Sequence, residues 1–166
     1  STELQYINTL ASNAQTQIDG AGFTRSTTVA TTSGTVADIT GIASGTNVVH
    51  VSIDNVNTSV GDILLLQIGD SGGIETSGYG MSGLQFDGAS SMQDSADSTD
   101  SSAGITIPRT NRAVWGVITC VQSDSLDWVF TWSMWANSGA QPEVTWGGGY
   151  KGLAGSELDR IRLTTV

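Results

Sequence analysis

Apolar residues recur at every third or fourth position near the start of the chain. They form one narrow stripe on a helix, made of Leu4, Ile7, Leu10, Ala11, Ala14 and Ile18. Thr2 precedes this pattern and Gly20 ends it, which predicts a short N-terminal helix. Because such a helix is marginal alone in water, we expect residues 1–21 to be an arm that anchors on a partner or bundles with its copies. Packing on its own domain is the alternative.

From Gly22 onward the pattern changes to short strands separated by Gly, Ser, Asn and Asp. Val49, Val51 and Ile53 alternate with polar residues, which predicts a strand with one core face and one wet face. The run DILLLQI at 62–68 is almost wholly apolar and predicts a central strand that is covered on both sides. The pattern therefore predicts an all-β domain.

The longest strands are predicted at 113–122 and 126–135, joined by a turn at 123–125. In the second strand, four large residues share one face: Trp128, Phe130, Trp132 and Met134. Each buried aromatic side chain removes roughly 150–250 Å² from water, so this face is expected to supply much of the core.

Further strands are predicted at 143–146 and 158–165, on either side of a loop GGGYKGLAGS at 147–156. The polar stretch at 88–104 has no periodicity and is expected to be a surface loop. Its aspartates Asp94, Asp97 and Asp100 are three apart, whereas an EF-hand requires ligands at alternate positions and a distal Glu. A calcium site there is kept only as an alternative.

Composition restricts the partners. Charged residues make up 13% of the 166 residues, with six Lys and Arg and a net charge of -10. This balance provides no basic surface for nucleic acid or an anionic membrane. No apolar run approaches the roughly 20 residues that span a bilayer, and the start STELQYINTL lacks the features of a signal peptide. We expect no nucleic-acid partner, no membrane partner and no export.

The string GDSGG at 69–73 matches the sequence around the nucleophile of chymotrypsin-like serine proteases. A serine nucleophile needs a nearby general base, and the only histidine, His50, lies on the polar face of another predicted strand. A single Cys120 excludes an internal disulfide and leaves no Cys and His cluster for a metal. Two carboxylates would suffice for a glycosidase, but no spacing selects a pair. We predict no catalytic residue, cofactor or metal.

Trp135 and Trp146 have two possible locations. Burial in the core is the more common one for tryptophan. On an outward face they would form an aromatic platform, with Tyr150 as a further candidate, that stacks on sugar rings or fills an interface. Tyr150 and Lys151 lie in the loop at 147–156, whose glycines would let the backbone approach a ligand or another subunit.

Two parts of the chain resemble a module of tailed-bacteriophage structural proteins. One is TVADITGIASGTNVVHVSIDNVNT at 35–58 followed by LLLQIGDSGGIETSGYG at 64–80, and the other is LAGSELDRIRLTTV at 153–166. The first is similar to that module's QIGDSGGIETSGY-like turn and the second to its SGTLDRVRITTV-like closing segment. The resemblance implies a non-enzymatic virion protein with a jelly-roll-like domain. It implies turn and packing roles for Gly69, Asp70, Ser71, Gly72, Gly73, Glu75 and Tyr79.

We therefore expect an N-terminal helical arm at 1–21 and a jelly-roll-like β-sandwich at 22–166, on the virion surface after synthesis in the host cytoplasm. A capsid decoration or head-fibre protein is favoured, anchored on the major capsid protein by the arm, and the copies are expected to form a trimer. One alternative is a tail-fibre or spike tip that binds host glycans through 88–104 and 147–156. Another is a free carbohydrate-binding module.

Overall fold

A computed structural model of the chain describes residues 22–32, 34–57, 64–87, 91–96, 103–107, 113–137 and 142–165. The predicted arm, with its anchor residues Leu4, Ile7, Leu10, Ala14 and Ile18, lies outside the described residues. In the described part the regular structure is entirely β, so the prediction of an all-β domain is confirmed. That part contains no helix suited to crossing a membrane.

Eleven strands are described. In chain order they are β1 (Val36–Thr40), β2 (Val48–Asn57), β3 (Leu64–Asp70), β4 (Gly73–Ile74), β5 (Gly80–Asp87), β6 (Ser91–Ala96), β7 (Ile105–Ile107), β8 (Ala113–Gln122), β9 (Asp127–Asn137), β10 (Pro142–Gly152) and β11 (Arg160–Thr165). Sheet A has the order β1, β11, β3, with β4 and β7 pairing with β3 at opposite ends. Sheet B has the order β2, β8, β9, β10, β5, β6. Every one of these pairs is antiparallel.

Four of the strand pairs are nested within one another along the chain. β1 pairs with β11, β2 with β8, β3 with β7 and β5 with β6. Successive pairs belong alternately to sheet A and sheet B. β9 and β10 form an additional hairpin that lies between β8 and β5 in sheet B. The chain is thus a long antiparallel ribbon whose pairs alternate between the two sheets.

The inner faces of the two sheets share one apolar core. Leu66 and Ile68 of β3 belong to the same buried cluster as Ile118 of β8 and Phe130 of β9, and all four have no measurable exposure. β3 is buried at all seven positions, which confirms the prediction of a covered central strand. Its outward side is covered as well, because the Gln67 side chain donates a hydrogen bond to the carbonyl of Ala103.

Alternation along β2 and β9 follows the predicted pattern. Trp128, Phe130, Trp132 and Met134 are all buried, whereas the residues between them are exposed. Residues 123–125 form the predicted turn, in which the Ser125 N–H donates to the Asp124 carboxylate. The expected hairpin is therefore confirmed.

Two predicted loops are wrong in part. Residues 147–152 continue β10, pairing with β9 on one side and β5 on the other, so only 153–156 lie outside a strand. Glycine has little intrinsic strand preference, but packing requires it at two of the three positions, Gly147 and Gly149. A Cβ atom at Gly147 would overlap the indole of Trp132, and one at Gly149 would lie 2.7 Å from the Ile105 side chain.

The stretch at 88–104 contains β6, which pairs with β5 along Ser91–Ala96. Its Ser and Asp composition resembles that of a loop, yet a strand forms there because β5 offers a free edge. Asp94 lies on β6, and Asp97 and Asp100 lie outside the described residues.

The two neighbouring glycines of β10 provide a packing test. Gly147→Ala inserts a methyl group into the space of the Trp132 ring and is expected to lower the free energy of unfolding by about 1–3 kcal/mol. Gly148→Ala is the matched control, because its Cβ atom would lie 3.4 Å from its nearest neighbour, the Phe130 carbonyl oxygen. Urea unfolding of both variants measures the difference. Equal stabilities would contradict the packing of Gly147 on Trp132.

Candidate functional site

The turn after β3 is tied to a distant segment by one carboxylate. Asp70 is buried, and its Oδ1 atom accepts a hydrogen bond of 2.7 Å from the N–H of Gly72. Its Oδ2 atom accepts from the N–H groups of Gly155 and Ser156, at 3.0 and 2.9 Å. The hydroxyls of Ser71 and Ser156 are 2.9 Å apart. The GDSGG turn and the 153–156 loop are therefore held together.

These hydrogen bonds affect the charge state of Asp70. The N–H of Gly72, followed by those of Ser156 and Gly155, holds the pKa of the carboxyl below its ordinary value, although burial opposes this effect. A carboxylate that accepts several backbone N–H bonds is favoured over its protonated form. Asp70 is thus a charged structural group.

A second set of contacts joins the same turn to the end of β10. The Glu75 Oε2 atom is 3.3 Å from the Lys151 Nζ atom, and Glu75 Oε1 accepts a hydrogen bond from the N–H of Ala154. The Lys151 ammonium also lies 5.5 Å from the ring centroid of Tyr79. The Tyr79 hydroxyl accepts from the N–H of Ile68 at 2.8 Å and lies 3.0 Å from the Glu75 carbonyl oxygen. We call Asp70, Ser71, Glu75, Tyr79, Lys151 and Ser156 the signature knot.

Ser71 and His50 do not come together in the structure. The polar neighbour of the Ser71 hydroxyl is Ser156, whereas His50 lies on sheet B with its Nδ1 atom 3.0 Å from Thr119 Oγ1. This contact joins β2 to β8 and confirms that His50 lies on the polar face of its strand. Cys120 is a buried free thiol, and burial raises its pKa to about 12, so it is a poor nucleophile.

Acidic side chains do not gather into a metal site in the described part of the chain. The polar groups of the signature knot instead hydrogen-bond to one another or to backbone atoms. What this arrangement can do is join the segments 64–80 and 153–166 to each other.

A different kind of surface lies on the outward face of sheet B. Seven apolar side chains point away from the core on four adjacent strands: Leu84, Phe86, Trp115, Val117, Trp135, Val144 and Trp146. Trp115 is half-buried and the other six are exposed. We call these seven residues the tryptophan face.

Strand register explains why the tryptophan face is continuous. Trp115, Trp135, Val144 and Phe86 lie side by side across β8, β9, β10 and β5, and Val117, Ser133, Trp146 and Leu84 form the adjacent row. The rings of Trp115 and Trp135 have centroids 4.9 Å apart, a distance at which aromatic pairs attract. Neither row contains a charged side chain.

The tryptophan face exposes several large apolar side chains together. Trp135 and Trp146 are each 40% exposed and Phe86 is 44% exposed. The seven side chains together leave on the order of 400 Å² in contact with solvent, which is the size of the largest apolar patch on a typical monomer, and such a patch is often functional.

The four candidate residues named from the sequence separate into two groups. Trp135, Trp146 and Tyr150 lie on the outward face of sheet B, whereas Lys151 is 7% exposed and belongs to the signature knot. Tyr150 lies apart from the tryptophan face, in a row with Val129, and its hydroxyl donates to Asp127 Oδ1 at 2.9 Å. Lys151 therefore does not contribute to an exposed platform with the two tryptophans.

Sequence reasoning missed five of the seven members of the tryptophan face: Leu84, Phe86, Trp115, Val117 and Val144. The alternation of Phe86 and Leu84 with polar or small residues was a usable signal, and so was the spacing of Trp115 from Val117. Which face of each strand points outward depends on the neighbouring strands, and the pairing of β10 with β5 crosses a large sequence separation.

Comparison with protein-family models, with curated proteins and with solved structures finds no match for this chain. The function is therefore inferred from the residues and their arrangement.

Replacement of Asp70 tests the signature knot. Asp70→Asn removes the negative charge and directs an NH₂ group at backbone donors, so we expect a loss of about 1–3 kcal/mol in the free energy of unfolding. Asp54→Asn, on an exposed position of β2, is the matched control and should change stability by less than about 0.5 kcal/mol.

The effect of Asp70 should also depend on pH. Its folded-state pKa is lowered, so its stabilising contribution is complete above the ordinary carboxyl pKa of about 4 and disappears as the pH falls further. The stability difference between wild type and Asp70→Asn should therefore shrink between neutral pH and about pH 3. Urea unfolding at both pH values checks this, and a constant difference would contradict the assigned charge state.

Proposed function

We propose that the two sheets form a jelly-roll sandwich. The nested pairing of β1 with β11, β2 with β8, β3 with β7 and β5 with β6, alternating between sheets, is the connectivity of a rolled antiparallel ribbon. The hairpin β9–β10 is then an insertion that widens sheet B from four strands to six. This insertion carries Trp135, Val144 and Trp146, so it supplies much of the tryptophan face.

We further propose that the protein is a non-enzymatic structural protein on the surface of a tailed-phage virion, of the capsid decoration or head-fibre type. The observation that carries this proposal is the signature knot. The two segments that resemble the phage module are hydrogen-bonded to each other through Asp70 and Glu75. Their polar residues are engaged in structural contacts, as expected of a module that builds a particle.

The tryptophan face supports a role in assembly with other proteins. On a chain with a net charge of -10, a charge-free apolar surface is where a protein partner can approach without like-charge repulsion. A sugar site also needs polar groups beside its aromatic rings, and the two rows of the face contain few of them. Anchoring through residues 1–21 on the major capsid protein and a trimeric state belong to the same proposal.

Glycan binding by a tail-fibre or spike tip is the second candidate. The exposed rings of Trp135 and Trp146 favour it, because they project from one face of β9 and β10 in adjacent rows. Such rings can stack on sugars.

Location on the particle tests the proposed function. The full chain is mixed with purified phage particles that lack this protein, and bound density is located by electron microscopy. Density over the head lattice is the expected result. Density confined to the tail end would favour the adsorption role, and the absence of any bound density would contradict the virion proposal.

A glycan array tests the second candidate. If the exposed rings bind sugars, Trp135→Ala and Trp146→Ala should abolish array signals that the wild-type protein gives. Val36→Ala, an exposed position on sheet A, is the control and should leave them unchanged. Under the decoration proposal we expect no signal from any of these proteins.

A further inference from the structure

The chain enters the described structure on the same side of sheet B as the tryptophan face. The ring of Phe23 lies 5.1 Å from the ring of His50, which points outward from β2. Phe23 itself is 78% exposed, and residues 22–32 are exposed throughout. The segment that precedes residue 22 therefore starts beside the outward face of sheet B.

The preceding segment has the length needed to cross the tryptophan face. From β2 to β5 the sheet spans four strand spacings, or about 19 Å. The helix predicted from Glu3 to Ile18 would be about 24 Å long. This helix is longer than the distance from β2 to β5, so it can extend from the position of Phe23 to the far side of the tryptophan face.

The two surfaces also match in chemistry. The predicted helix carries one apolar stripe, and residues 1–21 contain only two charged side chains, Glu3 and Asp19. The tryptophan face presents apolar rows with no charged member. An apolar stripe that is too weak to keep a helix folded in water gains stability when it packs on such a surface.

We propose that, in the free protein, residues 1–21 pack across the tryptophan face of the same chain. The arm and the face then cover each other until a partner displaces the arm. This contact concerns the free protein and does not depend on where the protein binds a particle. The failure of this proposal and the failure of the virion proposal are therefore separate results.

The first test releases the arm in the full-length protein. Ile7→Glu with Ala14→Glu places two charges on the apolar stripe, seven residues apart. Thr9→Glu with Thr16→Glu is the matched control, with the same charges and spacing on the opposite side of the helix. Quenching of tryptophan fluorescence by acrylamide reports how accessible the rings are.

We expect the stripe variant to increase the quenching constant about twofold, because three of the five tryptophans belong to the face and a local release leaves the core folded. The control variant should have the same quenching constant as the wild type. Sedimentation of the same samples should give an unchanged mass. Equal quenching in the two variants, or a rise that only accompanies dissociation of copies, would overturn the proposal.

The second test fixes the position of the arm. Cysteines at Leu10 and Val117 are treated with a bismaleimide, and the buried Cys120 thiol is expected to stay unreacted. Cysteines at Leu10 and Val36 form the control pair, because Val36 has similar exposure on the other sheet. A cross-link within one chain for the Val117 pair, much more abundant than for the Val36 pair, is expected. Links mainly between two chains, or equal yields from both pairs, would overturn the proposal.

Discussion

The alternation of β9 is the constraint on which most of this structure depends. Trp128, Phe130 and Trp132 fill the space between the two sheets, and β9 lies between β8 and β10 in the middle of sheet B. Large rings on one side require small residues on the next strand, and Gly147 of β10 lies directly against the indole of Trp132. The same alternation directs Trp135 outward. The alternation of side chains along β9 therefore determines both the packing of the core and the position of Trp135 on the exposed aromatic surface.

The signature knot has a different role from the core. Packing of apolar faces specifies which surfaces meet, but it has little directional character. The carboxylate of Asp70 accepts hydrogen bonds from Gly72 in its own turn and from Gly155 and Ser156, which lie 85 and 86 residues further along the chain. These directional contacts align the turn after β3 with the segment that leads into β11. Residues that match a protease signature thus make structural contacts between the turn after β3 and the segment that precedes β11.

The acidic chain and the tryptophan face are compatible with the proposed role in assembly. A net charge of -10 opposes nonspecific association of copies, whereas the tryptophan face favours specific contact with an apolar partner. If the arm covers this face in the free protein, a partner must displace it. The free energy of assembly is then the difference between the contact of the partner with the face and the contact of the arm with the face. Under this proposal, replacement of the arm by a partner on the tryptophan face allows tight binding on a particle with little aggregation in solution.

The sequence by itself determined the local structure: the alternation along β2 and β9, the covered run of β3 and the turn at 123–125, because each depends on neighbouring residues. It also predicted that Ser71 and His50 would not act together, and the structure places His50 beside Thr119 on sheet B. The extension of β10 through glycines, the strand at β6 and the burial of Lys151 beside Glu75 depended on tertiary structure. Strand pairing over large sequence separations decides which edge is filled and which side faces the core. For the same reason, Trp135 and Trp146 could be named from the sequence, but only the register of four strands joined them with Trp115 and Phe86 into one surface.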